Sequence, residues 1–293
     1  LETTHTNFES RLKIFFSVDV VGSTAFKNKE NDSQVQPWLQ FYKDFYNEFE
    51  ILFVRNIEQE YERVGEEFDC QKILPNFWKS LGDELVFEAT LNHHAQASIL
   101  VVAFKNALEI FNNNNGVRSF GLSVKGTSWC AGFPVMNAEL RHKKDYDFIG
   151  PSIDTGFRLT KFATETKFVI SIELALILTA KVKNYLEFFY EGKHILKGVL
   201  KDRPYPIIAI NIKSPNLDET EKDITPVVTR ENLDKFLSKF FRDNKIPKPF
   251  IKGDNDFGIA PSWYEEKRQN LIKQSEEPGS SGLNLIPSPE IPE

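Results

Sequence analysis

Residues 12–21, LKIFFSVDVV, form a run of aromatic and β-branched residues. Such a run reads as a buried strand, and a chain that starts this way must cover it with later elements. The GST at 22–24 ends the strand. Trp38, Tyr42, Phe45, Phe49 and Leu52 then recur at spacings of four and three, which predicts an amphipathic helix over 37–56. Residues 75–90 read as two short strands about a tight turn at Gly82-Asp83. Ile99, Val102, Phe104 and Leu108 mark a second helix over 93–112, stopped by NNNNG. A strand is expected over 118–131, then a mixed-charge loop at 141–145, a short strand at 146–149 and a helix from 153 to 163. FVISI at 168–172 predicts a strand, ELALILTAKV a short helix, and 186–212 two or three strands. The order is strand, helix, two strands, helix, strand, then a mixed unit. It predicts an α+β fold with helices packed on one face of a sheet.

Composition narrows the function classes. The net charge is −6 and no block of basic residues occurs, so neither duplex nucleic acid nor an anionic membrane is the expected partner. Any polyanion bound would sit in a local pocket. Cys70 and Cys130 stand far apart, which predicts neither a disulfide framework nor a zinc site and fits a reducing cytoplasm. Residues 1–13 lack the apolar segment of a signal peptide, and ASILVVAF around Leu100 is too short to span a bilayer. The 26 phenylalanines predict an aromatic-rich core. Past residue 214 the composition becomes polar; helices are expected at 230–243 and 262–273, with a disordered tail over 277–293. The expected division is therefore 1–213, 214–276 and 277–293.

Two acids carry the chemistry. Asp19 ends the apolar strand, and Asp83 sits in the turn of KSLGDELVF. A carboxylate on such a strand is costly unless it is paired or metal-bound. Two on adjacent strands suit a pair of Mg²⁺ or Mn²⁺ ions about 3.5–4 Å apart, the arrangement used for displacement at phosphorus. Gly22, Ser23 and Thr24 add backbone N–H groups and hydroxyls able to cradle phosphate.

SVDVVGSTAFK and KSLGDELVF resemble the two metal-binding segments of the class III nucleotidyl cyclases. YDFIGPSIDTGFRL at 146–159 resembles that family's segment for base selection and transition-state stabilisation, and LKG at 196–198 its lysine-bearing strand. The four occur in family order over about residues 10–212. The resemblance implies a ferredoxin-like βαββαβ core with additional strands, plus a C-terminal helical extension. It implies metal ligation by Asp19, Asp83 and the Val20 carbonyl, with two Mg²⁺ or Mn²⁺ ions per site. Gly22, Ser23, Thr24 and Lys197 would bind phosphates, Lys79 and Asp147 would select the base, and Arg158 would stabilise the transition state. Asp154 stands where the family often has asparagine, beside the ribose. Metal acids and arginine of one site come from different subunits in that family, so a homodimer with sites at its interface is implied.

Lys79 offers a donor and Asp147 an acceptor, which suits adenine, cytosine or uracil and fits guanine poorly. FFSVDVVGSTAFK, SLGDEL and IGPSIDTGFRL resemble the stand-alone pyrimidine cyclases of bacterial antiphage systems. That likeness implies UTP or CTP as substrate, cyclic UMP or cyclic CMP as product, and a separate cyclic-nucleotide-sensing effector protein. An adenylate cyclase is the alternative, and a silent nucleotide-binding dimerisation module the third reading. His93 and His94 read as cap or surface residues, since no third ligand has metal-site spacing in the sequence.

Overall fold

The computed structural model describes residues 8–28, 37–64, 70–114, 117, 120–142, 145–180, 186–212 and 227–276. The expected tail at 277–293 and the first part of the expected extension, 214–226, lie outside these.

Strand β1 (Arg11–Val21) is the axis of the sheet. It pairs antiparallel with β3 (Glu84–Leu91) on one side and β4 (Ser123–Phe133) on the other. With β2 (Asn76–Leu81) outside β3, these four give the order β2-β3-β1-β4, the ferredoxin-like arrangement. β7 (Lys167–Ile170), β9 (Pro204–Asn211) and β8 (Phe188–Ile195) extend the sheet beyond β4 to seven strands. Among the described residues only the β4–β7 pairing is parallel.

Alternation along β1 sorts its side chains between two faces. Leu12, Ile14, Phe16, Val18 and Val20 point into the main core under α2 (Pro37–Val64) and α3 (His94–Asn113). Phe41, Phe45, Phe49, Phe53 and Ile57 line the inner face of α2 at four-residue intervals, almost wholly buried. They meet Phe16, Phe87, Phe104 and Phe111 in edge-on contacts. The expected helix was thus too short by eight residues; Phe45 and Phe49 are buried as predicted, but the rest of the buried stripe is Phe41, Phe53 and Ile57. Trp38, Tyr42 and Leu52 only flank the core. Two apolar stripes run side by side on this helix, and periodicity alone does not choose between them.

Gly126 lets α3 close onto β4, because a Cβ there would come within 2.5 Å of Leu108. Asn112 ends the helix by exchanging two side-chain hydrogen bonds with the Val124 backbone. β4 consequently begins at Ser123, five residues later than expected, after a turn with Gly121 at φ +67°.

The prediction of helices on one face fails in one place. Phe15, Trp78, Val86, Trp129, Ala131, Phe133, Phe148 and Ile153 form a second cluster on the opposite face. α4 (Pro151–Leu159) and a hairpin of β5 (Ala138–His142) and β6 (Asp145–Ile149) cover it. The sequence read as a charged loop at 141–145 therefore belongs partly to paired strands. Gly156 sets the depth of α4: its Cβ would lie 2.1 Å from the Trp129 indole. Buried Asn137 fixes the start of α4 by bonding Ser152 and the Gly132 carbonyl.

α5 (Ile172–Leu178) and α6 (Arg230–Asp243) complete the helix face. Leu233, Leu237, Phe240 and Phe241 of α6 enter the main core, so this part of the extension packs as one body with the sheet. The chain then runs back to the N-terminus of α3, where the fully buried Asp254 carboxylate accepts from the His94 backbone N–H at 2.8 Å. Tyr264, at the start of α7 (Tyr264–Glu276), donates to the Phe133 carbonyl at 2.8 Å. Among the described residues no helix is long and apolar enough to cross a membrane.

Candidate active site

The register of β1 places Asp19 between Glu84 of β3 and Lys125 of β4, on the face away from α2 and α3. Asp83 precedes Glu84 in the β2–β3 turn, and its carbonyl accepts the Val20 N–H at 3.3 Å. Gly82 makes that turn at φ +72°, and Tyr46 of α2 pins it by donating to the Gly82 carbonyl at 2.7 Å. Asp19, Asp83 and Glu84 thus converge where β1 ends.

Lys125 Nζ lies 3.3 Å from Asp19 Oδ2. Burial pushes the Asp19 carboxyl above its ordinary value; Lys125 pulls it back only in part, and Asp83 adds to the rise. Burial also raises Glu84, which the Ser17 hydroxyl hydrogen-bonds and which Asp19 pushes up further. The negative charge of these carboxylates is therefore under-compensated in the protein alone. A hard divalent cation, which takes carboxylate and carbonyl oxygens, fits this donor set. Sequence reasoning missed Glu84 and Lys125. Glu84 directly follows Asp83, but only the strand register reveals that it faces Asp19.

Gly22 takes φ +81° and turns the chain into the short helix α1 (Ser23–Lys27). Helical geometry leaves the first N–H groups of that turn without intrahelical acceptors. Ser23 is buried beside Tyr42, and Thr24 is exposed.

The structure also brings together Lys79 and Asp147. Their ion pair spans 2.6 Å between β2 and β6, and Asp147 Oδ1 accepts the Phe148 N–H as well. The Lys79 ammonium lies 4.1 Å from the Trp78 ring centre. Beneath this pair, Glu88 gathers Lys13 at 2.6 Å and Asn76 at 3.3 Å, so buried charge ties β1, β2 and β3 together.

Asp154 and Arg158 lie one turn apart on α4, a spacing that puts both on one helix face. Asp154 is exposed; Arg158 is half-buried, and its Nε is buried without a hydrogen-bond partner. Among the described residues no ion pair joins Asp19 or Asp83 to Arg158, Lys197 or Lys79. Lys197 departs from expectation. β8 ends at Ile195, so this exposed lysine sits in a turn rather than on a strand. Gly198 takes φ +76° there, and Leu200, Lys201 and Asp202 follow in the left-handed region. The Asp202 carboxylate holds the turn by accepting the Gly198 N–H at 2.7 Å.

His93 is a cap, as one of its two sequence readings had it. Its Nδ1 accepts from the Ala95 N–H at 3.1 Å, and its own N–H donates to Gln96. Folding does supply a third residue of metal-ligand type, Asp254, beside His93 and His94. However, Asp254 already accepts from the backbone N–H groups of His94, Asp256 and Phe257, and from the His94 ring. With the His93 lone pair spent on the cap, this cluster is a structural latch.

No protein-family model and no curated protein sequence matches the chain. Several solved structures are similar to it. The adenylyl cyclase CyaB from P. aeruginosa shares 13% identity, covering 72% of this chain and 98% of its own, at a TM-score of 0.47. The guanylate cyclase domain of RhGC from Catenaria anguillulae, in complex with GTP, shares 11%, covering 69% and 97%, at 0.47. The guanylyl cyclase Cya2 shares 13%, covering 71% and 96%, at 0.43.

Proposed function

We propose that this protein is a nucleotidyl cyclase that closes a nucleoside triphosphate into its 3′,5′-cyclic nucleotide and releases pyrophosphate. The observation that carries this reading is the placing of Asp19, Asp83 and Glu84 together at the end of β1, where burial raises the Asp19 and Glu84 carboxyls and Lys125 faces Asp19. Asp19, Asp83 and the Val20 carbonyl would hold the divalent ions, Mg²⁺ or Mn²⁺. When bound, such ions acidify the 3′-hydroxyl and polarise the α-phosphate.

The chain's own groups do the rest. The Gly22–Ser23–Thr24 turn receives the phosphates, and Lys197 neutralises the terminal ones. Arg158 stabilises the charge that builds on the α-phosphate as the 3′-oxygen attacks in line. Its orphaned buried Nε supports this role, since a buried donor without a partner is costly until a ligand supplies an acceptor. Asp154, one turn earlier, faces the ribose. Lys79 and Asp147 read the base edge. Paired at 2.6 Å, they present an ammonium donor beside a carboxylate acceptor.

We place the substrate among the pyrimidine triphosphates, UTP or CTP, on the likeness of the quoted segments to the antiphage pyrimidine cyclases. The product would then signal to a separate effector. We also place the working site between two copies of the chain, with the acids from one and Arg158 from the other. The edge strand β2 supports an interface, as Phe77 and Leu81 on it stay exposed at 44% and 45%.

Mixing variants tests the proposal. Asp19→Asn and Arg158→Ala should each be inactive alone. Mixed, unfolded and refolded together, they should recover about a quarter of wild-type activity, because half the dimers carry one intact site of two. Recovery of no activity from two well-folded variants would place both residues in one chain's site, or outside any site.

A further inference from the structure

Lys125 was invisible as a site residue in the sequence, yet it is the cation that meets the acidic cluster. It lies directly opposite Asp19 in the β1–β4 register, with its ammonium 3.3 Å from Asp19 Oδ2. Both side chains are mostly shielded, Lys125 at 23% and Asp19 at 27% exposure, so water screens the pair only in part. The same ammonium also bears on Glu84. Asp19 and Glu84 therefore share this ammonium, and Asp83 adds further negative charge beside both.

We propose that Lys125 is a positioning residue that occupies the metal side of Asp19 in the resting protein and sets the threshold for divalent-ion binding. The inference rests on the metal-site reading above. A carboxylate oxygen engaged by an ammonium offers less to a metal, and a single positive charge a few ångströms away repels a double one. Lysine suits this exchange. Its charge sits on a flexible four-carbon stem, so the ammonium can leave Asp19 without moving β4. Arginine at the same place would grip the carboxylate with two parallel donors and yield less readily. While it stays, Lys125 also stabilises the cluster against its own repulsion. Its removal should weaken the metal-free fold and strengthen the metal-bound one.

The test is direct Mn²⁺ binding to the full chain without nucleotide, read by the electron paramagnetic resonance signal of free Mn²⁺. Thermal unfolding with and without Mn²⁺ accompanies it. Lys125→Met should bind Mn²⁺ about tenfold more tightly than wild type, the size expected for losing one unit charge roughly 5 Å from a divalent ion in a water-like medium. Its unfolding midpoint should be lower than wild type without Mn²⁺ and rise further when Mn²⁺ is added. Lys125→Arg should bind no more tightly than wild type. Lys125→Gln serves if the methionine variant does not fold. Asp19→Asn is the control for the site itself and should lose binding. If Asp19→Asn loses binding while both neutral Lys125 variants bind as wild type or more weakly, the metal site stands and the role of Lys125 is overturned. If wild type and Asp19→Asn bind alike, the metal site itself is wrong, and the proposal falls with it.

Discussion

Gly156→Ala is the smallest substitution that should disturb the candidate site without touching a charge. A Cβ at this position would lie 2.1, 2.3 and 2.4 Å from three atoms of the Trp129 indole, where ordinary contact begins near 3.4 Å. Trp129 cannot retreat. It is fully buried, stacked on Phe15 at 5.5 Å and against Phe157 at 5.2 Å. The helix must therefore rise from β4 by about 1 Å, the shortfall in that contact. Overpacking of this kind costs about 1–3 kcal/mol, against a gain of about 1 kcal/mol from replacing glycine inside a helix. The net expectation is a loss of up to about 2 kcal/mol in denaturant unfolding. Arg158 sits two residues further along the same helix, so activity should suffer more than stability. A displacement of about 1 Å in a positioned catalytic group can cost on the order of 10²-fold in rate. The assay is kcat under saturating substrate beside a urea unfolding curve. Trp129→Leu supplies a cycle: in its background Gly156→Ala should cost markedly less in both readouts. Wild-type stability and turnover in the single variant would refute the close approach of α4 to β4.

Other predictions follow from the charges. Folding raises the pKa of Asp19 and Glu84, so it favours their protonated forms, and stability contributed by these groups falls as pH rises through the carboxylate range. Metal-free Asp19→Asn should therefore melt a few degrees above wild type at pH 7, with the gap closing below about pH 4, while it yields no cyclic product. Asp254 has the opposite sign. Burial pushes it up, but the N–H groups of Phe257, His94 and Asp256 with the His94 ring outweigh burial and leave it below its ordinary value. Its stabilisation should persist above the unfolded carboxylate range and fade in acid as pH falls through the lowered value. Asp254→Ala should lose about 2–4 kcal/mol at pH 7 by leaving buried donors unpaired, measured by urea unfolding. Lys79→Ala should still cyclise, but with narrowed preference among the four triphosphates, measured as ratios of kcat/KM.

The parts of the fold legible in the sequence are those where pattern and burial agree. Strand β1 announces itself because apolar residues occupy both of its faces, and the βαββαβ order follows from clear changes of period. The stripe of α2 was right at Phe45 and Phe49 but misplaced at Trp38, Tyr42 and Leu52, which offer apolar surface much like the residues buried instead. The covered far face was hidden for a different reason. Phe15, Trp129 and Phe148 look like any core residues, and nothing local says that they form a second core under α4. Asp19 and Asp83 were legible as acids in strand and turn contexts, whereas Lys79 and Asp147 were singled out only by the family resemblance. Glu84 and Lys125 were not, because their relation to Asp19 exists only in the register of three strands. The latch at Asp254 was equally out of reach, since its partner His94 lies 160 residues away in sequence.

The most direct test is the chemistry itself. The purified chain should be incubated separately with ATP, CTP, GTP and UTP, first with Mn²⁺ and then with Mg²⁺, and its products identified by mass. A 3′,5′-cyclic nucleotide and pyrophosphate are expected in equal amounts, with cyclic UMP or cyclic CMP dominant and all product lost in Asp19→Asn. Cyclic AMP as the dominant product would keep the cyclase and overturn the pyrimidine assignment. The absence of any cyclic product from a well-folded dimer, with every triphosphate and both metals, would contradict the central claim.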